Sequence, residues 1–164
     1  MFCDNLLSGS HILVTGGGSG LGYAMTQRFL DLGATVTIWG RRSGVLEEAA
    51  QTLREETAGT IRTDAVDIRD PDAIESAVDR LWDHAPLTGL VNNAAGNFIS
   101  PTEALSPRAF NAIASIVFHG TFYVTNACAR RWLDADARAS VVSILTTWVW
   151  TGSPFVVPSA MSKA

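Results

Sequence analysis

The sequence predicts an α/β fold in which helices cover both faces of a parallel, doubly wound sheet. Short runs of β-branched and apolar residues alternate with helical stretches along the 164 residues. A glycine-rich segment comes directly after the first apolar run and opens the first helical stretch. Since parallel neighbours need a crossover helix and such crossovers are right-handed, this alternation places helices on both sides of one sheet.

Five strands are predicted from the β-branched runs, at residues 11–15, 35–39, 60–66, 87–91 and 140–145. Helical periodicity predicts helices over residues 23–32, 43–56, 71–84 and 102–133, and a further helix that starts at residue 159. The segment 146–159 contains one glycine and two prolines between its ends, so an irregular loop is expected there.

Three helix ends carry residue types that favour them. Gly33 follows the first helical stretch and is suited to a C-terminal cap. Ser43 is a candidate N-cap for the second helix. Asp70 precedes Pro71, and proline is favoured at the first helical position, so the third helix is expected to begin there.

Composition excludes several classes of protein. Hydrophobic residues make up 47% and charged residues 17% of the chain, so a single domain over residues 1–164 can bury a core. The net charge is −4 without a basic cluster, and no nucleic-acid partner is expected. No apolar run approaches 18 residues and no secretory signal is recognised, so neither membrane insertion nor export is expected. Cys3 and Cys128 lack metal-site spacing, and two free thiols in a reducing, cytoplasmic compartment are expected, with no metal.

The glycine-rich segment has the spacing of a phosphate-binding loop. Glycines at 16, 20 and 22 let the backbone approach a pyrophosphate, and the N-terminus of the following helix supplies N–H donors. Because strand, loop and helix fall in the required order, a dinucleotide site of the Rossmann type is favoured over a ligand-free turn. The candidate cofactor-binding residues of this loop are Gly16, Gly18, Ser19, Gly20, Leu21 and Gly22.

Two further segments bear on the choice of dinucleotide. NAD-binding folds usually place an acid at the end of the second strand, whereas this chain has Arg41 and Arg42. Two guanidinium groups can pair with a ribose 2′-phosphate, which favours NADP(H), although a solvated pair remains the alternative. Asp67 and Ile68 follow the third strand on the adenine side, where Asp67 is either a ligand or a turn residue.

On these residues the chain resembles the short-chain dehydrogenase/reductase family over its whole length. The motifs that carry the resemblance are the glycine loop, Asp67, the segment Asn92-Asn93-Ala94-Ala95-Gly96 and the late Ser159-x-x-x-Lys163. The resemblance implies a structural role for Asn93, and a loop behind the nicotinamide ribose formed by Ala94, Ala95 and Gly96. Segments 94–98 (AAGNF) and 151–159 (TGSPFVVPS) resemble the 2,4-dienoyl-CoA reductase branch.

The resemblance implies a catalytic set that departs from the family's usual one. Ser159 stands where most members have a tyrosine, and Thr146 falls at the position of the active-site serine. Val117 replaces the helix asparagine, and Trp148 stands where a separate tyrosine lies in one part of the branch. Lys163, the only lysine beside eleven arginines, is assigned to the nicotinamide ribose and to catalysis, with compositional bias as the alternative. Because Ser159 and Lys163 lie one helical turn apart, their side chains are expected to point into one cleft.

The implied function is NADPH-dependent reduction of a 2,4-dienoyl-CoA or related acyl thioester in fatty-acid breakdown, with a small acyl-CoA-type substrate. A generic carbonyl or alcohol oxidoreductase and a non-catalytic nucleotide-binding fragment remain alternatives. Family members are longer, so the fold is expected to be incomplete on its C-terminal side, without the later strands and the substrate loop. A homo-oligomer is expected for the full-length protein, through the apolar helix 102–133 and the helix that carries Lys163. The alternative is that the excess apolar residues of helix 102–133 pack against the missing C-terminal part. Trp148 and Trp150 are expected to share one side of an extended stretch, lining an acyl pocket or covering the core.

Overall fold

In the computed structural model, which describes residues 2–164, five parallel strands form one sheet; Met1, the first residue of the predicted domain, lies outside the described residues. The strands are β1 (His11–Thr15), β2 (Thr35–Gly40), β3 (Thr60–Ala65), β4 (Gly89–Asn92) and β5 (Ser140–Ser143). Their order is β3-β2-β1-β4-β5, and every neighbouring pair is parallel. Successive strands are therefore added on one side of β1 up to β3 and on the other side from β4 onward. Ligands bind at this switch point, between β1 and β4, in open sheets of this kind.

Seven α-helices connect or follow the strands within residues 2–164. They are α1 (Gly20–Asp31), α2 (Ser43–Glu56), α3 (Pro71–His84), α4 (Pro107–Ala114), α5 (Thr121–Asp134), α6 (Trp148–Thr151) and α7 (Val157–Lys163). A π-helical segment, Ser115–Gly120, joins α4 to α5, and Thr102–Ala104 forms a 3₁₀ turn. The predicted α/β, doubly wound, Rossmann-type class is confirmed.

Alternate residues of β1 enter two different cores, one on each face of the sheet. Val14 packs with α1 and α2 residues such as Leu30 and Leu53, whereas Leu13 packs with Ile74 of α3 and Val124 of α5. All these side chains are buried. Both faces are thus covered, as expected of a parallel sheet whose strands read as continuous apolar runs.

Two of the three predicted helix ends are confirmed. The Asp70 side chain accepts hydrogen bonds from the backbone N–H groups of Asp72 (3.0 Å) and Ala73 (3.2 Å), with Pro71 as the first helical residue. Gly33 has φ +89°, and its N–H donates to Leu30 O in a Schellman-type end. The prediction for Ser43 is wrong, because Ser43 is the first residue of α2 and the capping position is held by the residue before it.

The predicted helix over residues 102–133 is interrupted, which corrects the sequence interpretation. The Ser106 hydroxyl accepts the Ala109 N–H at 3.1 Å and caps a new helix that begins at Pro107. The backbone of Ser106 is extended (φ −74°, ψ 154°), because the residue before a proline avoids the helical region. A second irregularity follows at the π-helical segment, which contains Val117.

The helical stretch Pro107–Asp134 also bears on the expected absence of a membrane segment. It is 28 residues long and, within residues 2–164, the single helix long and apolar enough to span a bilayer by those two criteria. In this fold Val124, Cys128 and Trp132 of the stretch pack against the sheet. Such a core helix satisfies the same criteria as a membrane span, so length and composition do not separate the two.

The segment 146–159 is not the irregular loop that was predicted, since α6 and the start of α7 lie in it. Trp148 and Trp150 belong to a helical turn, so the strand-like alternation that placed their side chains on one side does not apply. Trp150 is 76% exposed, which excludes the interpretation that it covers the core.

The pH dependence of stability is expected to reflect His11, which is buried at the start of β1. Its Nδ1 lies 3.1 Å from Ala85 O and its Nε2 2.9 Å from Thr37 Oγ1, so the neutral ring is satisfied on both sides. Burial lowers the pKa of His11. Below about pH 6.5, His11 is protonated in the unfolded chain but stays neutral in the folded chain. The free energy of unfolding is therefore highest above about pH 6.5 and decreases as the pH falls below that value.

Urea unfolding of the full-length protein at pH 7.5, 6.5 and 5.5 measures this loss. The variant His119→Gln, which alters an exposed histidine of the π-helical segment that does not act on the pKa of His11, should keep the pH dependence. In His11→Asn the free energy of unfolding averaged over the three pH values should fall. Its decrease between pH 6.5 and 5.5 should become smaller than in the wild type. An undiminished decline in His11→Asn would contradict the assignment.

Candidate functional site

A cavity of about 400 Å³ opens at the carboxyl ends of β1 to β4 and collects most of the predicted cofactor-binding residues. The predicted residues that line it are Gly16, Gly18, Ser19, Leu21, Arg41, Arg42, Asp67, Ile68, Asn93, Ala94 and Ala95. Gly20, Gly22, Gly96 and Lys163 were also predicted and do not line it. The strand order explains the convergence, because the carboxyl ends of adjacent parallel strands share one edge of the sheet.

The backbone conformation or the packing of the glycine loop disfavours a side chain at Gly16 and at Gly22. Gly16 has φ +70°, a conformation that favours glycine. A Cβ at Gly22 would lie 2.2 Å from Gly16 O and 2.6 Å from Asn93 Nδ2. The absence of a side chain at Gly22 lets the first turn of α1 pack directly against the loop. Gly22 itself does not line the cavity.

The first turn of α1 keeps its backbone donors available. Ser19 occupies the N-cap position without a side-chain hydrogen bond, and the first turn contains no acidic residue. Ser19 and Leu21 line the cavity, so the positive end of a 12-residue helix lies at its wall. This arrangement suits a phosphate group, since unpaired N–H groups and the helix dipole both favour an anion.

Thr15 and Asn93 hold the loop in place. Asn93 Nδ2 donates to the carbonyl oxygens of Thr15 (3.0 Å) and Gly16 (3.2 Å). In return, the buried Thr15 hydroxyl accepts the N–H groups of Asn93 and Ala94, each at 3.0 Å, and donates to Val91 O at 3.3 Å. Asn93 thus joins the end of β4 to the glycine loop, and Thr15 is a supporting residue that sequence reasoning did not assign.

The charged residues at the cavity divide into paired and unpaired groups. Within residues 2–164 the exposed side chains of Arg41 and Arg42 make no hydrogen bond or salt bridge. Asp67 instead pairs with Arg69, whose Nε lies 2.9 Å from Oδ1 and 3.0 Å from Oδ2. Hydrogen bonds from Arg69 are the main reason why the pKa of Asp67 lies below its ordinary value.

Lys163 lines a second cavity, of about 320 Å³, which shares Ala94 with the first. The cavity lies between β4, β5 and the π-helical segment, and its wall includes Asn92, Thr125 and Phe118. Lys163 Nζ donates to Ile144 O at the carboxyl end of β5, and burial lowers the pKa of Lys163. The lysine is therefore anchored beside the carboxyl edge of the sheet rather than free in solvent.

The other three predicted catalytic residues line neither cavity. Ser159 lies four residues before Lys163 in α7 but is only 5% exposed, so the expected common cleft for the two side chains is not found. Thr146 follows β5, and its Oγ1 accepts the Trp148 N–H at 3.5 Å. Trp148 opens α6 and is 36% exposed. The roles of Thr146, Trp148 and Ser159 stay predictions.

Sequence reasoning missed the apolar part of the first cavity. The missed lining residues are Trp39, Gly40, Val45, Leu46, Val66 and Ile116. Gly40 and Val66 adjoin a predicted site residue in the sequence, and that adjacency was the available signal. Ile116 had no such signal, because only the folding of the π-helical segment over Ala94 and Ala95 brings it there.

The residues present fit a nicotinamide dinucleotide. A glycine cradle, free helix N–H groups, two unpaired guanidinium groups and an apolar wall meet in one cavity. Groups of three or more histidine, cysteine, aspartate or glutamate side chains able to hold a metal ion are absent from residues 2–164.

Comparisons with known proteins find similarity over most of the chain. The family model for short chain dehydrogenases matches residues 10–164. An uncharacterized oxidoreductase of Caenorhabditis elegans is 47% identical over 161 residues, which are 96% of this chain and 51% of that protein. A probable 2,4-dienoyl-CoA reductase of the same organism is 42% identical over 165 residues, covering 98% of this chain and 53% of that protein.

A solved structure supports the same fold. The crystal structure of a short chain dehydrogenase from Bacillus anthracis superposes with a TM-score of 0.89 at 36% identity, over 94% of this chain and 62% of that one. The chain spans about half the length of the curated relatives that it matches.

Proposed function

Because the chain belongs to the short chain dehydrogenase family, we propose that the protein is an NADPH-dependent oxidoreductase that reduces a 2,4-dienoyl-CoA or a related unsaturated acyl thioester in fatty-acid breakdown. The observation that carries the substrate class is Ser159, four residues before Lys163. A serine hydroxyl is far too weak an acid to exchange a proton with an alcohol or ketone near neutral pH. The relative named as a probable 2,4-dienoyl-CoA reductase supports the same choice.

The first cavity would hold the dinucleotide. The glycine loop and the N-terminus of α1 would bind the pyrophosphate, and Arg41 and Arg42 the 2′-phosphate. Asp67 and Ile68 would lie beside the adenine, and the segment 93–96 with Lys163 beside the nicotinamide ribose. When bound, NADPH supplies the hydride.

The chain's own residues would then stabilise charge rather than move a proton from a strong acid. Hydride addition to a conjugated thioester builds negative charge on the thioester oxygen, and neutral donors aimed at that oxygen are sufficient to stabilise it. A proton from water, delivered to carbon, would then complete the reduction. Thr146, Ser159 and Trp148 are the candidate donors. Lys163 would donate hydrogen bonds to ribose hydroxyls and raise the local positive potential.

Two other functions remain as alternatives and are separated by one assay. NADPH consumption by the full-length protein is measured with a 2,4-dienoyl-CoA and with a panel of ketones and secondary alcohols. Turnover of the dienoyl thioester alone supports the proposal. Turnover of alcohols or ketones alone would replace it with a general carbonyl or alcohol oxidoreductase, and no turnover of either class would favour a nucleotide-binding protein without catalysis.

Cofactor preference is expected to depend on Arg41. Arg41→Asp removes one guanidinium and adds a carboxylate, which repels a 2′-phosphate but can accept a hydrogen bond from a ribose 2′-hydroxyl. Because a hydrogen bond to a charged group contributes about 1.5–3 kcal/mol, the ratio of NADPH to NADH efficiency should fall about tenfold or more. Steady-state kinetics with both cofactors measure the ratio, and an unchanged ratio would mean that Arg41 only faces solvent.

We further propose that the full-length protein is a cytoplasmic homo-oligomer. Leu133, which lines neither cavity, is 81% exposed near the end of the helical stretch that the sequence favours as an interface. Light scattering that returned a monomer would contradict the oligomer. Fractionation of the native protein would test the compartment.

A further inference from the structure

We infer that Arg69 is a positioning residue that keeps Arg41 free for a 2′-phosphate by occupying the carboxylate of Asp67. This inference rests on the dinucleotide site proposed above. It assigns a part in cofactor selection to a side chain that does not line the cavity.

The Arg69 side chain donates several hydrogen bonds to Asp67, and both residues belong to the same turn. Its Nε donates to both carboxylate oxygens, at 2.9 and 3.0 Å, and its Nη2 donates to Oδ2. The Arg69 backbone N–H also donates to Oδ1 at 3.1 Å. The Asp70 N–H closes the turn by donating to Asp67 O at 3.0 Å, and the side chain of the same Asp70 caps α3. The pair is therefore held by a preformed turn and not by two freely moving side chains.

Within residues 2–164, Asp67 is the one acidic residue that lines the first cavity, and Arg41 and Arg42 line the same space. The positive charge of Arg41 acts on Asp67 and contributes to lowering the pKa of that carboxyl group. Without Arg69, the carboxylate would attract the Arg41 guanidinium and repel an approaching phosphate. Both effects weaken binding of a 2′-phosphorylated dinucleotide and leave one without that phosphate nearly unaffected.

Exposure of the pair indicates an electrostatic role in binding rather than in stability. The side chains of Arg69 and Asp67 are 42% and 32% exposed, and such ion pairs add little to folding. Arg80 and Asp64 form a comparable pair, with Nη2 2.7 Å from Oδ2, between α3 and β3. Neither Arg80 nor Asp64 lines the cavity, so this pair is a matched control.

The test compares dissociation constants of NADP⁺ and NAD⁺ for the full-length protein by titration calorimetry. In Arg69→Gln, the preference for NADP⁺ should fall roughly three- to tenfold, the size expected for one nearby, partly screened charge. Arg69→Lys should retain most of the preference because it keeps the positive charge. Arg80→Gln should leave it unchanged. Asp67→Asn combined with Arg69→Gln should restore it, since the unbalanced carboxylate is then gone.

The outcomes separate this inference from the function on which it rests. A wild-type protein that binds neither dinucleotide, or prefers NAD⁺, overturns the proposed cofactor and the role of Arg69 with it. A wild-type preference for NADP⁺ that survives in Arg69→Gln overturns the role of Arg69 alone. Equal losses of both ligands in Arg69→Gln, not reversed by Asp67→Asn, would mean that Arg69 only supports the turn, and would also overturn it.

Discussion

Replacing Lys163 by alanine is expected to lower turnover of the full-length protein, with its best acyl thioester, by roughly 100-fold or more. The Nζ atom is anchored on Ile144 O beside the carboxyl edge of the sheet, at a cavity adjoining the proposed cofactor site. An ammonium there can donate to ribose hydroxyls and stabilise charge developing on the substrate. Loss of one such donor typically costs about 2.7–4 kcal/mol of transition-state stabilisation.

Two further variants distinguish a catalytic lysine from a structural one. Lys163→Arg keeps the charge but not the compact, rotatable donor set, so it should recover only part of the turnover. Ser159→Ala should cost less than Lys163→Ala, because Thr146 or Trp148 can still donate. Thermal unfolding of each variant reports any loss of structure separately. Normal turnover in Lys163→Ala would show that the lysine is incidental and that the site is wrongly assigned.

The parts of the fold that the sequence predicted correctly are those set by local chemistry. β1 and α2 have the predicted bounds, and Asp70 with Pro71 begins α3 as expected. The glycine loop was equally readable, because its residue types permit a backbone path that other side chains forbid. These features depend on neighbours in the sequence, which a single chain displays directly.

The errors arose where tertiary packing decided the outcome. Helical spacing placed Ser159 and Lys163 on one face, yet α7 packs so that Ser159 is buried while Lys163 reaches a cavity. Periodicity through the apolar residues of α4 and α5 concealed the interruption at Ser106 and Pro107, although the proline was a usable signal. Arg69 was missed because the partner of Asp67 depends on how the turn after β3 closes.

The integrity of the cofactor loop is expected to depend on Gly22 more than on any glycine that lines the cavity. In Gly22→Ala the new Cβ would lie 2.2 Å from Gly16 O, a backbone atom that is itself held by Asn93. Because neither the loop nor the first turn of α1 can move without breaking that contact, a cost of about 1–3 kcal/mol or more is expected. The melting temperature should fall by roughly 5 °C or more, and dinucleotide affinity at least about tenfold.

Gly44→Ala is the matched control for this substitution. Gly44 lies in the first turn of α2, and a Cβ there would meet nothing within 4 Å. Alanine at such a helical position should leave binding unchanged and stabilise the fold by up to about 0.5–1 kcal/mol. Differential scanning fluorimetry and dinucleotide titration on both variants measure the contrast. If Gly22→Ala matched wild type in both measurements, the first turn of α1 would not lie as close to Gly16 as in this fold. The description of the cavity wall, which depends on that contact, would then be wrong.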